Sequence, residues 1–243
     1  MSPRPLVTIG VPVYNDEPWL PRSIERLLSQ DYDNLEIIIA DDGSSDRSPE
    51  ICREFANRDS RIRFIQNKFN LGAVRNHNIL FELSQGDFFA WGSGHDFFYP
   101  SFVSKCIRIL QQDENLILCY PQADYLDLHE KLMKETFLKL ELRQIEPAER
   151  FKALMQSAAN ANMFYGLFRS SALAKAVLPK KMMGGDILFL AEIALSGGIA
   201  QVDEVLVCRK MNRPDERAEQ CTERWINNVI QPRGLGLEGI TPW

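Results

Sequence analysis

Positive charge is not in excess in this sequence: 28 lysines and arginines stand against 33 aspartates and glutamates, a net of −5. Holding a polyanion at physiological salt needs a broad basic surface, so nucleic acid is set aside as a partner. Cysteine pairs at CxxC spacing are also missing. The five cysteines, Cys52, Cys106, Cys119, Cys208 and Cys221, are odd in number and scattered, which argues against a disulfide scaffold, a zinc site or a redox dithiol. They read as buried thiols of a reducing compartment. No apolar run approaches the ~18 residues of a membrane span. The opening MSPRPLVTIG has neither the apolar stretch nor the cleavage site of a secretory leader. A cytoplasmic protein is expected, with at most peripheral contact at the inner face of a membrane. Internal repeats and low-complexity blocks are absent as well.

What the chain does have is 45% hydrophobic and 25% charged residues over a length of 243, enough to bury a sizeable core as one large domain with an appendage. In the first half, apolar runs alternate with amphipathic stretches, the pattern of a sheet covered by helices, and a parallel α/β arrangement is the first expectation. Leu6 to Val13 is β-branched and nearly continuous, as in a strand buried on both faces, with Pro12 placed at its end. Further strands are expected over 35–40, 62–66, 88–91, 116–120, 164–168 and 198–207, and helices over 19–29, 49–56, 79–83, 100–111 and 187–196. Asp16 is positioned to cap the first helix. The stretch from Asp127 to Arg150 is highly charged and reads as solvent-facing. From Met211 the chain turns polar, with Pro214, Pro232 and repeated glycines. The expected organisation is therefore a domain over residues 1–210 and a tail over 211–243. Within that tail Trp225, Ile226, Val229 and Ile230 form an apolar i, i+4 stripe, read as docking on protein.

Ligands of open α/β sheets bind beyond the carboxyl ends of the strands, where helix N-termini expose unpaired N–H groups. Candidate loops leave strand ends at Pro12-Val13-Tyr14-Asn15, Asp41-Asp42-Gly43-Ser44 and Ser93-Gly94-His95-Asp96. Each alone is ordinary turn chemistry, because Asp, Ser and Gly are common turn residues and a lone His-Asp pair is more often a turn than a metal site. Their recurrence in order, with the Asn67-to-Gly72 loop and Arg75 between them, points to a shared pocket.

Val7 to Asn15, Ser29-Gln30-Asp31-Tyr32 and Glu36 to Asp46 resemble the opening of family 2 glycosyltransferases of the GT-A fold. The resemblance continues through Asn70 to Asn76, Gly86 to Trp91 and Pro100, and more weakly through Tyr165 to Arg169, Gly185-Asp186 and Gly197 to Arg209. It implies an α/β, Rossmann-like mixed sheet flanked by helices. Pro12 and Tyr14 would flank a nucleotide base, Asp42, or Asp41 beside it, would accept a hydrogen bond from the uracil N–H, and Arg75 would stand near the nucleotide. A UDP-sugar is the donor this implies. The family's metal motif, Asp-x-Asp, falls at Ser93-Gly94-His95, where both aspartates are missing. His95 then stands in the place of the metal-ligating carboxylate and Asp96 follows it. A divalent cation, Mn2+ or Mg2+, is the implied cofactor, and a nitrogen ligand tilts the choice to manganese. Metal-independent or weakened activity stays open. Without a cation, basic residues have to substitute, and Arg209, Lys210, Arg213 and Arg217 form a late cluster able to close over a diphosphate, though such clusters usually read as a solvated face. Asp186 matches the family's general base, and its plain reading is an N-cap for a helix beginning at Ile187.

The leading expectation is an inverting transferase that moves a sugar from a nucleotide-diphosphate donor to the hydroxyl of a glycan or lipid-linked acceptor, in cell-surface polysaccharide assembly. The alternative, motivated by Ser93 and His95, is a catalytically impaired GT-A scaffold acting as a nucleotide-sugar binder or assembly partner. Nucleotidyl transfer is disfavoured, because it calls for a glycine-rich basic loop where Pro12-Val13-Tyr14-Asn15 stands. His77 and His129 lack partners at metal-ligand spacing, and Trp19, Trp91, Phe97, Phe98 and Tyr99 read as packing residues.

Overall fold

Successive residues of a strand face opposite sides of its sheet, so a strand apolar at every position has to be covered twice. Val7–Val13 (β1), polar only at Thr8, and Leu35–Asp41 (β2), polar only at Glu36 and Asp41, come close to this. Ile37 and Ile39 of β2 enter one core cluster with Leu20, Ile24 and Leu27 of the helix Leu20–Leu28 (α1). Ile38 and Ala40 enter the opposite cluster, with Leu80, Phe89 and Trp91. This computed structural model describes residues 4–127, 129, 131–136, 140–143, 146–156, 161–178 and 185–210.

After β2 come α2 (Ser48–Arg58), β3 (Ile62–Gln66), α3 (Ala73–Glu82) and β4 (Phe88–Trp91). The strands lie in the order β3-β2-β1-β4, all parallel, so the carboxyl ends of β1, β2 and β4 open on the same edge. Pro12 is paired with Ala40 of β2, but the pairing of β1 with β4 covers only Val7 to Gly10. Its missing N–H thus falls where β1 is no longer flanked on both sides.

The second half is not purely parallel. It comprises β5 (Phe97–Phe98), α4 (Phe102–Gln112), β6 (Leu116–Leu126), β7 (Leu132–Thr136), α5 (Pro147–Gln156), a 3₁₀ turn over Ala161–Tyr165, β8 (Leu167–Arg169), α6 (Ser170–Leu173), α7 (Gly185–Ser196) and β9 (Gly198–Lys210). β8 runs antiparallel to β4 and β6, β9 is parallel to β6, and β5 and β7 are antiparallel additions. Among the described residues the result is a nine-stranded mixed sheet ordered β3-β2-β1-β4-β8-β6-β9-β5, with β7 on β6.

Several expected boundaries move for tertiary reasons. β6 continues past Tyr120 through Pro121 because β9 keeps pairing with it, at the cost of a register irregularity between Pro121 and Gln122. The charged stretch 127–150 contributes β7 and the start of α5, where Arg150 is buried and its Nε donates to the Ala194 carbonyl at 2.6 Å. Phe164 stacks on Trp91 with centroids 4.6 Å apart and planes at 17°, which draws it into the 3₁₀ turn and delays β8 to Leu167. Cys52, Cys106, Cys119 and Cys208 are free and buried, and burial pushes the Cys52 thiol up. Cys221, Arg213, Arg217, the stripe at Trp225 to Ile230 and the rest of 211–243 lie outside the described residues. Among the described residues no helix is long and apolar enough to cross a membrane.

Candidate functional site

The turns that end β1 and β2 are stitched together. The Asp42 N–H donates to the Val13 carbonyl at 2.8 Å, the Asn15 N–H donates to Ser44 Oγ at 2.9 Å, and Asn15 Oδ1 accepts the Ser45 N–H at 2.8 Å. Asn15 does this from the left-handed region, at φ 53°, which asparagine tolerates better than most residues. Gly43 lies at φ +71°, and a Cβ there would come within 2.9 Å of the Phe69 backbone; the turn therefore takes glycine.

The adjacent carboxylates of the acidic pair have different duties. Both oxygens of Asp42 are engaged: Oδ1 accepts Asn67 Nδ2 at 2.9 Å and the Leu71 N–H at 2.8 Å, while Oδ2 accepts the Gly72 N–H at 3.0 Å. It shapes the loop that leads into α3. Asp41 is fully buried, and while its Oδ2 accepts the Ser44 N–H at 3.2 Å, its Oδ1 has no hydrogen-bond partner among the described residues. Burial raises its pKa above the ordinary carboxylate value, against hydrogen bonds from Ser44 and Gly43 that lower it. A buried acceptor without a donor is rare and costly.

The third turn is built by Ser93 and Ser23. Ser93 Oγ accepts the N–H groups of His95 and Asp96, both at 3.3 Å, and Ser23 Oγ donates to the carbonyls of Ser93 at 2.6 Å and Asp96 at 3.0 Å. His95 Nδ1 lies 3.0 Å from Asp16 Oδ1, and the Tyr14 N–H donates to Asp16 Oδ2 at 3.2 Å. Asp16 thus does not act as the expected side-chain cap. α1 begins without a side-chain cap, and the Asp16 backbone carbonyl takes the N–H groups of Trp19 and Leu20. Gly94 is what lets Asp16 approach: a Cβ there would lie 2.5 Å from Asp16 Oδ2. Gly94→Ala is expected to push the turn off Asp16 and destabilise the fold by about 1–3 kcal/mol, the usual scale of overpacking, read from urea unfolding. An unchanged midpoint would contradict this tight contact.

Asp96 is buried and its Oδ1 accepts the Lys210 backbone N–H at 2.9 Å. This ties the end of β9 to the turn. The Lys210 ammonium lies 3.0 Å from the Trp19 ring centroid and 5.1 Å from that of Phe97, so Trp19 packs a cation rather than apolar neighbours alone. Next to it, the Arg209 guanidinium stands over the rings of Tyr165 at 4.5 Å and Tyr125 at 5.6 Å, and donates to Asn162 Oδ1 at 3.0 Å. Burial opposes the charge of Arg209, but Tyr165, Asp96 and Tyr125 together outweigh it and its pKa is raised. Burial likewise raises the Tyr165 phenol; Arg209 opposes this, and the charges of Asp96 and Asp186 add to it. Asp186 is therefore within electrostatic reach of this group. It is exposed and sits in the first turn of α7, which begins at Gly185 rather than Ile187. A negative charge is favourable there.

The structure thus gathers the β1, β2 and β4 turns by hydrogen bonds, while Asp186 is linked to them only by its electrostatic influence on Tyr165. Arg75 is half exposed, with Nη1 2.5 Å from Glu82 Oε1 on the same helix. His77 is a helix residue with Nδ1 2.7 Å from the Ala73 carbonyl, and burial lowers its pKa. Sequence reasoning missed the Asp16–His95 pair and the Tyr165–Arg209 pair. The only local signal was Gly94, a glycine between two polar turn residues.

These side chains do not fit a divalent-metal centre. Among the described residues no group of three or more His, Cys, Asp and Glu is gathered to hold a metal ion. Asp96, the expected oxygen ligand, is buried against the end of β9 with Arg209 beside it, and His95, held by Asp16 through Nδ1, brings no more than a single nitrogen.

The family model described as glycosyl transferase family 2 matches residues 8–175. A putative glycosyltransferase of Bacillus subtilis, EpsH, is 33% identical over 171 residues, covering 70% of this chain and 48% of its own length. The glycosyltransferase GlyG of Streptococcus pneumoniae is 30% identical over 109 residues, 45% of this chain and 36% of its own. Among solved structures, S. aureus TarS 1-349 in complex with UDP-GlcNAc superposes with a TM-score of 0.67 at 14% identity, over 86% of this chain and 60% of that one. The mannosyltransferase PcManGT of Pyrobaculum calidifontis, in complex with GDP-Man and Mn2+, has a TM-score of 0.65 at 15% identity, over 95% and 63%. At such identities the structural likeness speaks for the fold, which is GT-A. The chain spans less than two thirds of the length of each of these proteins.

Proposed function

Because the chain belongs to glycosyl transferase family 2, we propose that it transfers a sugar from a nucleoside-diphosphate donor, a UDP-sugar, to an acceptor hydroxyl with inversion, in the assembly of bacterial cell-surface polysaccharide. The observation that carries the reading is the hydrogen-bonded convergence of three strand-end turns beside the orphaned Oδ1 of Asp41. That oxygen can accept the ring N–H of uracil, a bond that removes the cost of an unpaired buried acceptor. Asp42, already holding three donors of the loop before α3, supports the reader instead of reading. Pro12 and Tyr14, half-buried at the end of β1, would flank the base. Arg75, turned to Glu82, has to leave that partner to meet the nucleotide.

Asp186 is the proposed base. Exposed to solvent, it can meet a sugar hydroxyl and take its proton as the oxygen attacks the anomeric carbon from the face opposite the diphosphate. The acceptor is a glycan or a lipid-linked glycan, the latter met by peripheral contact at the cytoplasmic face of a membrane.

The test is a panel of UDP-, GDP- and dTDP-sugars, with thermal shift and nucleotide release as readouts. UDP-sugars are expected to raise the melting temperature and release UDP. A protein unresponsive to every nucleotide would count against the reading. Binding without turnover, with Asp186→Ala indistinguishable from the parent, would favour the impaired scaffold, the reading that the loss of both Asp-x-Asp aspartates supports.

A further inference from the structure

We propose that, given the glycosyltransferase reading on which this rests, the positive charge facing the departing diphosphate comes from Arg209 and Lys210 at the end of β9, in the place of a divalent cation. A cation that assists the leaving group needs oxygen ligands open to the phosphates. Here Ser93 and Asp96 hold the backbone of the turn and of β9, and His95 offers a nitrogen in place of an oxygen. Ser93 Oγ accepts two turn N–H groups. His95 is held through Nδ1 by Asp16, whose other oxygen takes the Tyr14 N–H beneath Gly94. Asp96 is buried, bonded to the backbone of Lys210, and close enough to Arg209 to raise the pKa of the guanidinium.

What the metal position lacks, the strand beside it supplies. Register pairs Phe97 with Cys208, which delivers the next residues of β9, Arg209 and Lys210, to the turn that carries His95 and Asp96. Lys210 is held with its ammonium on the Trp19 ring, next to the Asp16 turn. Arg209 carries the second observation: its Nε is buried and makes no hydrogen bond among the described residues, although Asn162 holds another nitrogen of the same guanidinium. An orphaned donor on a cation is what a phosphate oxygen satisfies, and guanidinium suits phosphate geometrically. In the transfer, the bond between the anomeric carbon and the β-phosphate oxygen breaks with its electron pair on that oxygen. The acceptor oxygen forms the new bond and its proton passes to Asp186. The growing charge on the diphosphate is balanced by the two β9 cations, and no further reactant is needed.

The experiment measures UDP and uridine binding, and UDP release from a UDP-sugar, with the full chain in EDTA and in MnCl2. Affinity and turnover are expected to be the same in both buffers. Arg209→Gln is expected to weaken UDP binding about tenfold or more, the scale of a charge-assisted hydrogen bond, and to spare uridine, which has no phosphates; a loss of general structure would weaken both. Arg209→Lys should recover part of the difference. His95→Asp sets a new carboxylate against Asp16 and is expected to make turnover fail in EDTA and return with Mn2+. Parent binding or turnover that appears only with Mn2+ overturns the proposal alone, as does an Arg209→Gln variant that loses uridine and UDP equally. No UDP binding in either buffer overturns the glycosyltransferase reading and this proposal together.

Discussion

Asp186→Asn should cut turnover about a thousandfold, within the usual range for a general base, and leave UDP affinity where it was. Asparagine keeps the size and hydrogen-bonding capacity of the side chain but cannot take the proton of an acceptor hydroxyl. Asp186 is exposed in the first turn of α7 and is linked electrostatically to Tyr165, so its replacement removes no buried contact. The expected change in stability is only the few tenths of a kcal/mol that a charge at a helix N-terminus contributes. The loss should appear in kcat and not in KM, because the proton moves only as the new bond forms. Steady-state kinetics with calorimetry of UDP binding separates the two, and a variant with parental kcat would remove Asp186 from the mechanism.

The second large effect is expected at Asp41. Asp41→Ala should weaken UDP binding by about 10–100-fold, the scale of a hydrogen bond to a charged acceptor in a buried site, without lowering the stability of the unliganded protein. A buried carboxylate whose bonds from Ser44 and Gly43 leave Oδ1 without a donor is unfavourable in the fold, so its removal relieves a penalty that those bonds offset only in part. The sign of the pH dependence follows from the same burial. A folded pKa raised above the unfolded one means that protonated Asp41 favours the fold at low pH and that this contribution is lost as the pH rises through the raised value. Asp41→Ala should therefore compare best with the parent at neutral pH and lose that advantage in acid. UDP affinity of the parent should fall as the pH drops through the same value, where the acceptor becomes a donor. Asp42→Ala should do the reverse: it frees the Asn67, Leu71 and Gly72 donors and destabilises the fold by about 1–3 kcal/mol. Urea unfolding and calorimetry of both variants test the division of labour, and equal behaviour of the two would refute it.

The first four strands and the turns that leave them were readable in the residues themselves. Nearly continuous apolar runs, rich in valine and isoleucine, at Val7 to Val13 and Leu35 to Ala40 demand burial on both faces, and that demand is local, so the parallel half of the sheet and the place of the acidic turn follow from it. The second half was less open to reading. Pro121 and the charges after it argue against a strand that β9 nevertheless extends, and Phe164 leaves its strand-like run to stack on Trp91.

Within the candidate site, the resemblance singled out the pair Asp41 and Asp42 but left open which one reads the base. Nothing local separates two neighbouring aspartates; their hydrogen-bond partners do, and those come from a loop dozens of positions away. The Asp16–His95 contact joins residues separated by 79 positions, and Arg209 reaches Tyr165 only because β9 runs alongside β6. Strand period and turn chemistry are properties of a few consecutive residues and are written in the chain. Which buried oxygen is left without a donor, and which cation stands beside which carboxylate, depends on how distant segments pack, and only the tertiary structure decided it.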